Sequence, residues 1–476
     1  ATTLTACGPQ AGTLQGAAET LGAATTRSIE YSGTGRWFQF GQAPSPTLPW
    51  PRFDVSAFTA AINFDTASAR VEMTRKQTIE QGRTRPAPVE QRPIQLVSGT
   101  FAWNMAVPAG AQAGTTPTAN AAPASVEERA MEIWSTPQGF VKAALANTAT
   151  STPQGGGSEV SFTVGGKYKY TGTINAQNHV ERVRTVIDNT VLGDTTVETT
   201  FSEYRDFGGI TFPARIARSQ GGHPVLDLTV SAAKANPAVD GSVPDNVRNF
   251  KPAPVQVQVE TLAPGVHYMI GGSHHSLAID QRDHIVVVEA PQSEERSLAV
   301  IAKVKETIPN KPIRYLINTH VHFDHSGGLR SYVDEGATIV THALNRPYYE
   351  QAWAAPRTLN PDRLAKSAKK ANFETFTDKH VLTDGKRTIE VHAIAGNGHN
   401  DAFAMVYLPT EKVLAEVDAY SPPAAGAPMP ATPNPFAVSL YDNIQRLKLD
   451  VRRIAALHGR VATVAELMAF NGMKGK

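Results

Sequence analysis

Four side chains able to ligate a metal fall within six positions, His320, His322, Asp324 and His325, in the stretch Thr319-His320-Val321-His322-Phe323-Asp324-His325-Ser326-Gly327-Gly328. Neutral imidazole suits borderline ions and a carboxylate supplies hard oxygen, so this mixture fits zinc better than calcium or magnesium. His320, His322 and Asp324 stand two apart, which on an extended loop turns them to one side, while His325 faces the other way toward a second centre. One loop can then feed two adjacent ions. Three more candidates close apolar, strand-like segments: His399 in Gly396-Asn397-Gly398-His399-Asn400-Asp401, Asp418 after Lys412 to Val417, and His458 in Ala455-Ala456-Leu457-His458-Gly459-Arg460. Five imidazoles and two carboxylates suffice for three terminal ligands on each of two ions plus one bridge.

The elements that must position these residues change in character along the chain. At 476 residues the default is two domains. From about Arg27 to Ala235 short alternating segments such as Arg70 to Arg75 and Ser161 to Val164 predict an antiparallel sheet. Ser125 to Asn147 has helical spacing, with Met131, Trp134, Phe140 and Leu145 apolar and Thr136-Pro137 interrupting or restarting it. Gly110 to Ser125 and Ser151 to Gly157 read as loops. Lys234 to Val255 is rich in Pro, Asn and Asp, which places the boundary near 250. Beyond it strands are expected at Val266 to Ile270, Ser276 to Asp280, Ile285 to Glu289 and Ile313 to Asn318, with a helix at Glu294 to Glu306 and an alternation of strands and helices to the C-terminus, an α/β pattern. Twelve of the fourteen histidines follow residue 256, so the chemistry is assigned to that part. The division is 1–26 as a tether, 27–250 as a mainly antiparallel β domain with one long helix, and 251–476 as the catalytic domain.

The segment from about 256 to 476 resembles the metallo-β-lactamase fold, whose His-x-His-x-Asp-His motif is matched by His320, His322, Asp324 and His325. The resemblance implies an αββα sandwich with metals where loops converge at the sheet edges. It further implies that His320, His322 and His399 bind a first zinc, that Asp324, His325 and His458 bind a second, and that Asp418 bridges them; iron and manganese are the alternative ions. Three departures stand out. Asn400 replaces the small hydroxyl residue that often follows the histidine at 399, Glu289-Ala290-Pro291 replaces a supporting Asp-x-Gly, and Asp418 stands where zinc β-lactamases resemble Cys or Ser. A carboxylate there is similar to lactonases, glyoxalase II-type thioesterases and phosphodiesterases. Upstream, Asp188 to Asp194 and Tyr204 to Pro213 resemble the meander of lipoprotein-carrier half-barrels, a curved sheet cupping a helix; the other reading is a generic β domain.

The function expected is hydrolysis of an ester, lactone or related acyl substrate by a hydroxide shared between two zincs, with Asp324 orienting the nucleophile. Alternatives are phosphodiester or β-lactam hydrolysis, iron-dependent persulfide dioxygenation, and binding of a lipid-like ligand by the N-terminal domain. His274 and His275, in a turn, are candidate substrate contacts. Tyr420 is a candidate oxyanion donor, its other reading being strand-end packing. Ser421 to Phe436, with six prolines, is a candidate substrate wall. Tyr348 to Lys370, with Trp353, is a candidate lid or a plain surface helix. His342, His380 and His392 are assigned to structure.

Charged residues are 18% of the chain and the formal net charge is +2, with no long basic run, which argues against nucleic acid as the main partner; the partner expected is a small-molecule substrate. No run of about 18 apolar residues marks a bilayer span. A single cysteine, Cys7, excludes an internal disulfide. Leu4-Thr5-Ala6-Cys7 resembles the bacterial lipobox, which implies membrane anchoring through a lipidated Cys7 and a periplasmic or outer-membrane location. Residues 8–26, rich in Ala, Gly, Thr and Gln, suit a tether.

Overall fold

The computed structural model describes residues 10–107, 112 and 114–473, and Cys7 lies outside them. Among the described residues, the strands between Ser28 and Ala235 form one thirteen-stranded antiparallel sheet. Its order is unusual: the first strand, Ser28–Phe38, pairs with the last, His223–Ala235, at the centre, and two wings of consecutive hairpins run outward. Alternation sets one face inward. Val197, Phe201, Phe212, Ile216 and Leu228 pack there with the helices Val126–Trp134 and Pro137–Ala146. The expected interruption between those helices is a restart, because Pro137 cannot donate to a continuing helix and Thr136 caps the new one by accepting from Gly139 N at 3.2 Å.

Three expectations in this half are corrected. Part of the assigned tether, Leu14–Thr20, is a helix whose Gly16, Ala17 and Ala18 are buried in the sheet's core; the small residues permit close approach rather than flexibility. Thr150–Gln154 and Gly157–Val164 form an edge hairpin turning at Gly155 and Gly156, both at positive φ, where loop was expected. Thr118–Ala121 is likewise a strand, and Pro123–Ser125 a short 3-10 turn. The stretch after Ala235 folds back over the sheet's outer side, with Val247 of Asp245–Arg248 packed on Leu96 and Trp103.

From Gln258 two sheets stack face to face. One has seven strands, ending in the parallel set Ile285–Val288, Ile313–Ile317, Thr338–His342 and Asn372–Phe376; the other has six and includes Val413–Glu416 and Arg453–Ala456. Ile285–Val288 shows why the strands read as apolar runs: Val286 and Val288 face the second sheet while Ile285 and Val287 face the helices. The outer layers are helices. Glu294–Thr307 starts at Ser293, whose hydroxyl accepts from Arg296 N, and buries Ser297, Val300, Ile301 and Val304 at helical spacing. Pro435–Arg446 covers the other side through Ala437, Leu440 and Ile444. This αββα architecture is the one expected.

Candidate metal centre

Each ligand candidate lies just past the end of a strand or in the loop that joins two. Ile313–Ile317 delivers His320 and His322, Val413–Glu416 delivers Asp418, and Arg453–Ala456 delivers His458; His399 sits between Thr388–Ala393 and Ala404–Leu408. The loop expected to stay extended through Asp324 does not. Phe323–Ser326 is a helical turn beginning after His322, so the alternation that would have put Asp324 beside His320 and His322 is lost, and Asp324 joins His325 instead.

Ligating atoms of His320, His322, His399 and Asp418 lie within 4.8 Å of one another, as do those of Asp324, His325 and Asp418, and those of His274, His325 and His458. Asp418 is shared by the first two groups and His325 by the last two. Asp418 Oδ2 stands 3.0 Å from His325 Nε2, 3.1 Å from His399 Nε2 and 3.5 Å from His320 Nε2, and its Oδ1 stands 3.0 Å from His458 Nδ1.

The atoms fit divalent ions. His322 Nδ1 is buried with no hydrogen-bond partner, and the Nε2 atoms of His320 and His399 face each other at 3.2 Å, an arrangement an ion between them satisfies. In the metal-free protein, burial and then the charge of His325 push His320 down to about 3, and burial with His320 holds His322 well below the usual imidazole range. Both are neutral, as ligation requires. Burial opposes charge on His325 as well, but Asp418 and Glu289 beside it hold it well above that range, and His325 in turn holds Asp418 well below the carboxylate range against its own burial.

The supporting bonds explain two of the departures. Glu289, fully buried at φ 70°, spans two ligand-loop positions: its Oε1 accepts from Thr319 N at 2.7 Å and its Oε2 from His325 Nδ1 at 2.9 Å. Asn400 turns its amide to the carbonyl of Ala43 in the N-terminal domain, at 3.0 Å. That carbonyl also accepts from His322 Nε2 at 2.9 Å, and Gln42 Nε2 donates to Asp324 Oδ1 at 2.9 Å. Residues 41–44 carry no metal-ligand side chain, so a reading based on ligand types passes over them.

Residues 269–415 match the sequence profile of the Metallo-beta-lactamase superfamily. This is a metallo-beta-lactamase domain. It is similar to the metallo-beta-lactamase from Pontibacter korlensis, at 18% identity over 46% of this chain and 98% of that one with a TM-score of 0.34. It is likewise similar to FIM-1 from Pseudomonas aeruginosa, solved in a mono-zinc form, at 18% identity over 47% of this chain and 96% of that one with a TM-score of 0.35. No curated protein sequence matches the chain. Superfamily membership and the His/Asp clusters support a metal-dependent hydrolase.

In the metallo-beta-lactamase domain the remaining candidates separate. His274 reaches the cluster: its Nε2 is 3.3 Å from Asp324 Oδ2 and its ring stacks on His458 at 4.2 Å. His275 faces the opposite side, as a neighbour in an extended chain must, and accepts from Gly271 N against Tyr268; burial lowers its pKa to about 4. Trp353 is stacked between Tyr349 and Phe373 in the helix-sheet core, four residues after Tyr349 on the same helical face. Tyr420 is 1% exposed, packed on Phe470, with its hydroxyl unpartnered and its pKa pushed up to about 12 by burial. The candidate lid is docked elsewhere: Arg357 donates to Thr190 O and Val191 O, and Asp194 accepts from Thr358 and Leu359, which ties the segment to an N-terminal hairpin. The proline-rich segment does lie by the site, with Pro422 against Gly459 and Pro423 O accepting from Arg460.

Proposed function

We propose that the metallo-beta-lactamase domain is a binuclear zinc hydrolase acting on an ester, lactone or related acyl substrate. One observation carries the two-ion reading: a single carboxylate, Asp418, lies within reach of both ligand groups. Zinc bound there supplies Lewis acidity and a water whose pKa falls to about 7. The protein's own part is orientation. Asp324 is held at Oδ1 by Gln42 and at Oδ2 by His274, and its side chain is 36% exposed, so it stands at the open face where a substrate meets the centre. His458, 38% exposed, borders the same face. A carboxylate at 418 favours lactone, ester or phosphoester substrates over β-lactams.

The test is a metal-quantified preparation assayed against lactone, ester, thioester, phosphodiester and β-lactam panels. Two zincs per chain with lactone or ester turnover is expected. One iron per chain with oxygen uptake on a persulfide overturns it, and turnover confined to phosphodiesters or β-lactams replaces the substrate class.

A second reading concerns the N-terminal domain. A cavity of 470 Å³ lined by Phe64, Trp134, Leu145, Ala146 and Val164, with Lys142 beside it, supports an apolar ligand. Organic extraction of the purified protein followed by mass spectrometry checks it. Lipidation at Cys7 and export rest on Leu4 to Cys7 alone; intact mass of the membrane-associated protein decides them.

A further inference from the structure

The connection between the strands Ser28–Phe38 and Arg52–Asn63 leaves its own sheet and lies along two ligand loops of the other domain. Phe323 N donates to Gly41 O at 3.1 Å, Gln42 Nε2 to Asp324 Oδ1 at 2.9 Å, His322 Nε2 and Asn400 Nδ2 to Ala43 O, and Asp401 N to Pro44 O at 2.8 Å. The docking is built rather than incidental. Gly41 sits at φ 75°, and a Cβ there would stand 2.5 Å from the Phe323 ring. Phe40 and Trp50 clasp Phe323 edge to face, and Arg83 pairs with Asp401 at 2.9 Å beside the His399 loop.

The chemistry of these bonds is directional. A carbonyl only accepts, so Ala43 O fixes the His322 proton on Nε2 and leaves the Nδ1 lone pair free toward the first cluster. A carboxylate likewise only accepts, so Gln42 must present its amide N–H to Asp324, which sets the rotation of that carboxylate in the second cluster.

We propose that the N-terminal domain is a working part of the metal centre, with Gln42 the positioning residue for Asp324 and Ala43 O the partner that sets the His322 tautomer. The inference rests on the metal-hydrolase reading for its metal, not for its substrate.

The test is zinc titration of the full chain against a competing chromophoric chelator, together with the visible spectrum of the cobalt-substituted protein. Gln42→Ala should weaken one zinc equivalent about 10- to 100-fold and leave the other within about threefold. Gln42→Glu, the same size but an acceptor, should weaken it more, because two carboxylates then face each other. A space-filling role would make Gln42→Glu the milder change, so that order overturns the proposal. Gly41→Ala should shift the cobalt spectrum by lifting Ala43 O from His322. If that variant does not fold, the two Gln42 variants decide. Unchanged affinity in both Gln42 variants, or no zinc bound by the wild type, overturns the inference. Zinc bound as expected with no turnover on any panel leaves it standing and removes the hydrolase reading instead.

Discussion

Glu289→Gln tests whether a buried carboxylate, rather than the ligands alone, holds the centre in shape. Both residues have the same length and share the φ of 70°, whose backbone is fixed by Glu289 N donating to Ile317 O and by Ser276 Oγ donating to Glu289 O. The substitution therefore isolates charge and hydrogen-bond sense. Glu289 offers two acceptors to two donors, Thr319 N and His325 Nδ1. A glutamine offers one acceptor and one donor. If its oxygen serves Thr319, the amide faces His325 Nδ1, which must become the acceptor and place its proton on Nε2, the atom needed for the ion. If it flips, two N–H groups oppose each other at Thr319. Leaving one buried donor unmatched costs about 1–3 kcal/mol. Loss of such a support lowers metal affinity about 10- to 100-fold. Urea denaturation of the metal-free variant reads the first figure and chelator competition the second. A variant with wild-type metal-free stability and zinc affinity within about threefold would refute the reasoning.

Further outcomes can be checked independently. Asp324→Ala and His322→Ala should each abolish turnover with an unchanged far-ultraviolet dichroism spectrum, and normal rates in either would discard the ligand assignment. Chelation of the metal should lower the thermal midpoint as well as stop turnover, since an ion at about 1,000 times its Kd adds about 4 kcal/mol to the folded state; calorimetry with and without chelator measures it. Arg357→Ala strips the donors from Thr190 O and Val191 O and should cost about 2–4 kcal/mol, read as separated unfolding transitions for the two domains in urea. Backbone amides of Arg387, Lys386 and Arg282 outweigh burial at Asp384 and lower its pKa to about 2. A depressed acid stabilises above its unfolded value, near 3.8, and loses that contribution as the pH falls through about 2. The thermal gap between wild type and Asp384→Asn should therefore be widest above pH 4 and close below pH 2.

The ligands were legible because metal chemistry restricts them to a few residue types and each stands beside an apolar strand. The sandwich strands were legible because Ile285–Val288 and its neighbours are buried on both faces and so read as continuous apolar runs. The contribution of Ala43 was not, since a peptide carbonyl is the same in every residue and only the fold shows where it points. Gln42 and Gly41 became meaningful only beside Asp324 and Phe323, some 280 residues away in sequence. Glu289 was visible as a departure from a pattern, but its two bonds depend on the turn at positive φ. Leu14–Thr20 misled because small residues serve a tether and a tightly packed helix equally well.

The central pairing of Ser28–Phe38 with His223–Ala235 joins the segments of that sheet that lie farthest apart in sequence. Each wing of the sheet is a run of neighbouring hairpins that closes quickly, whereas the seam joins segments roughly 200 residues apart and bears the larger closure entropy. The turn that carries Ala43 is the first connection after that seam. Ala43 thus hangs from a strand held on one side by a local hairpin and on the other by that seam, so loosening the sheet's centre is expected to be felt at His322 from a domain that holds none of the ligand candidates.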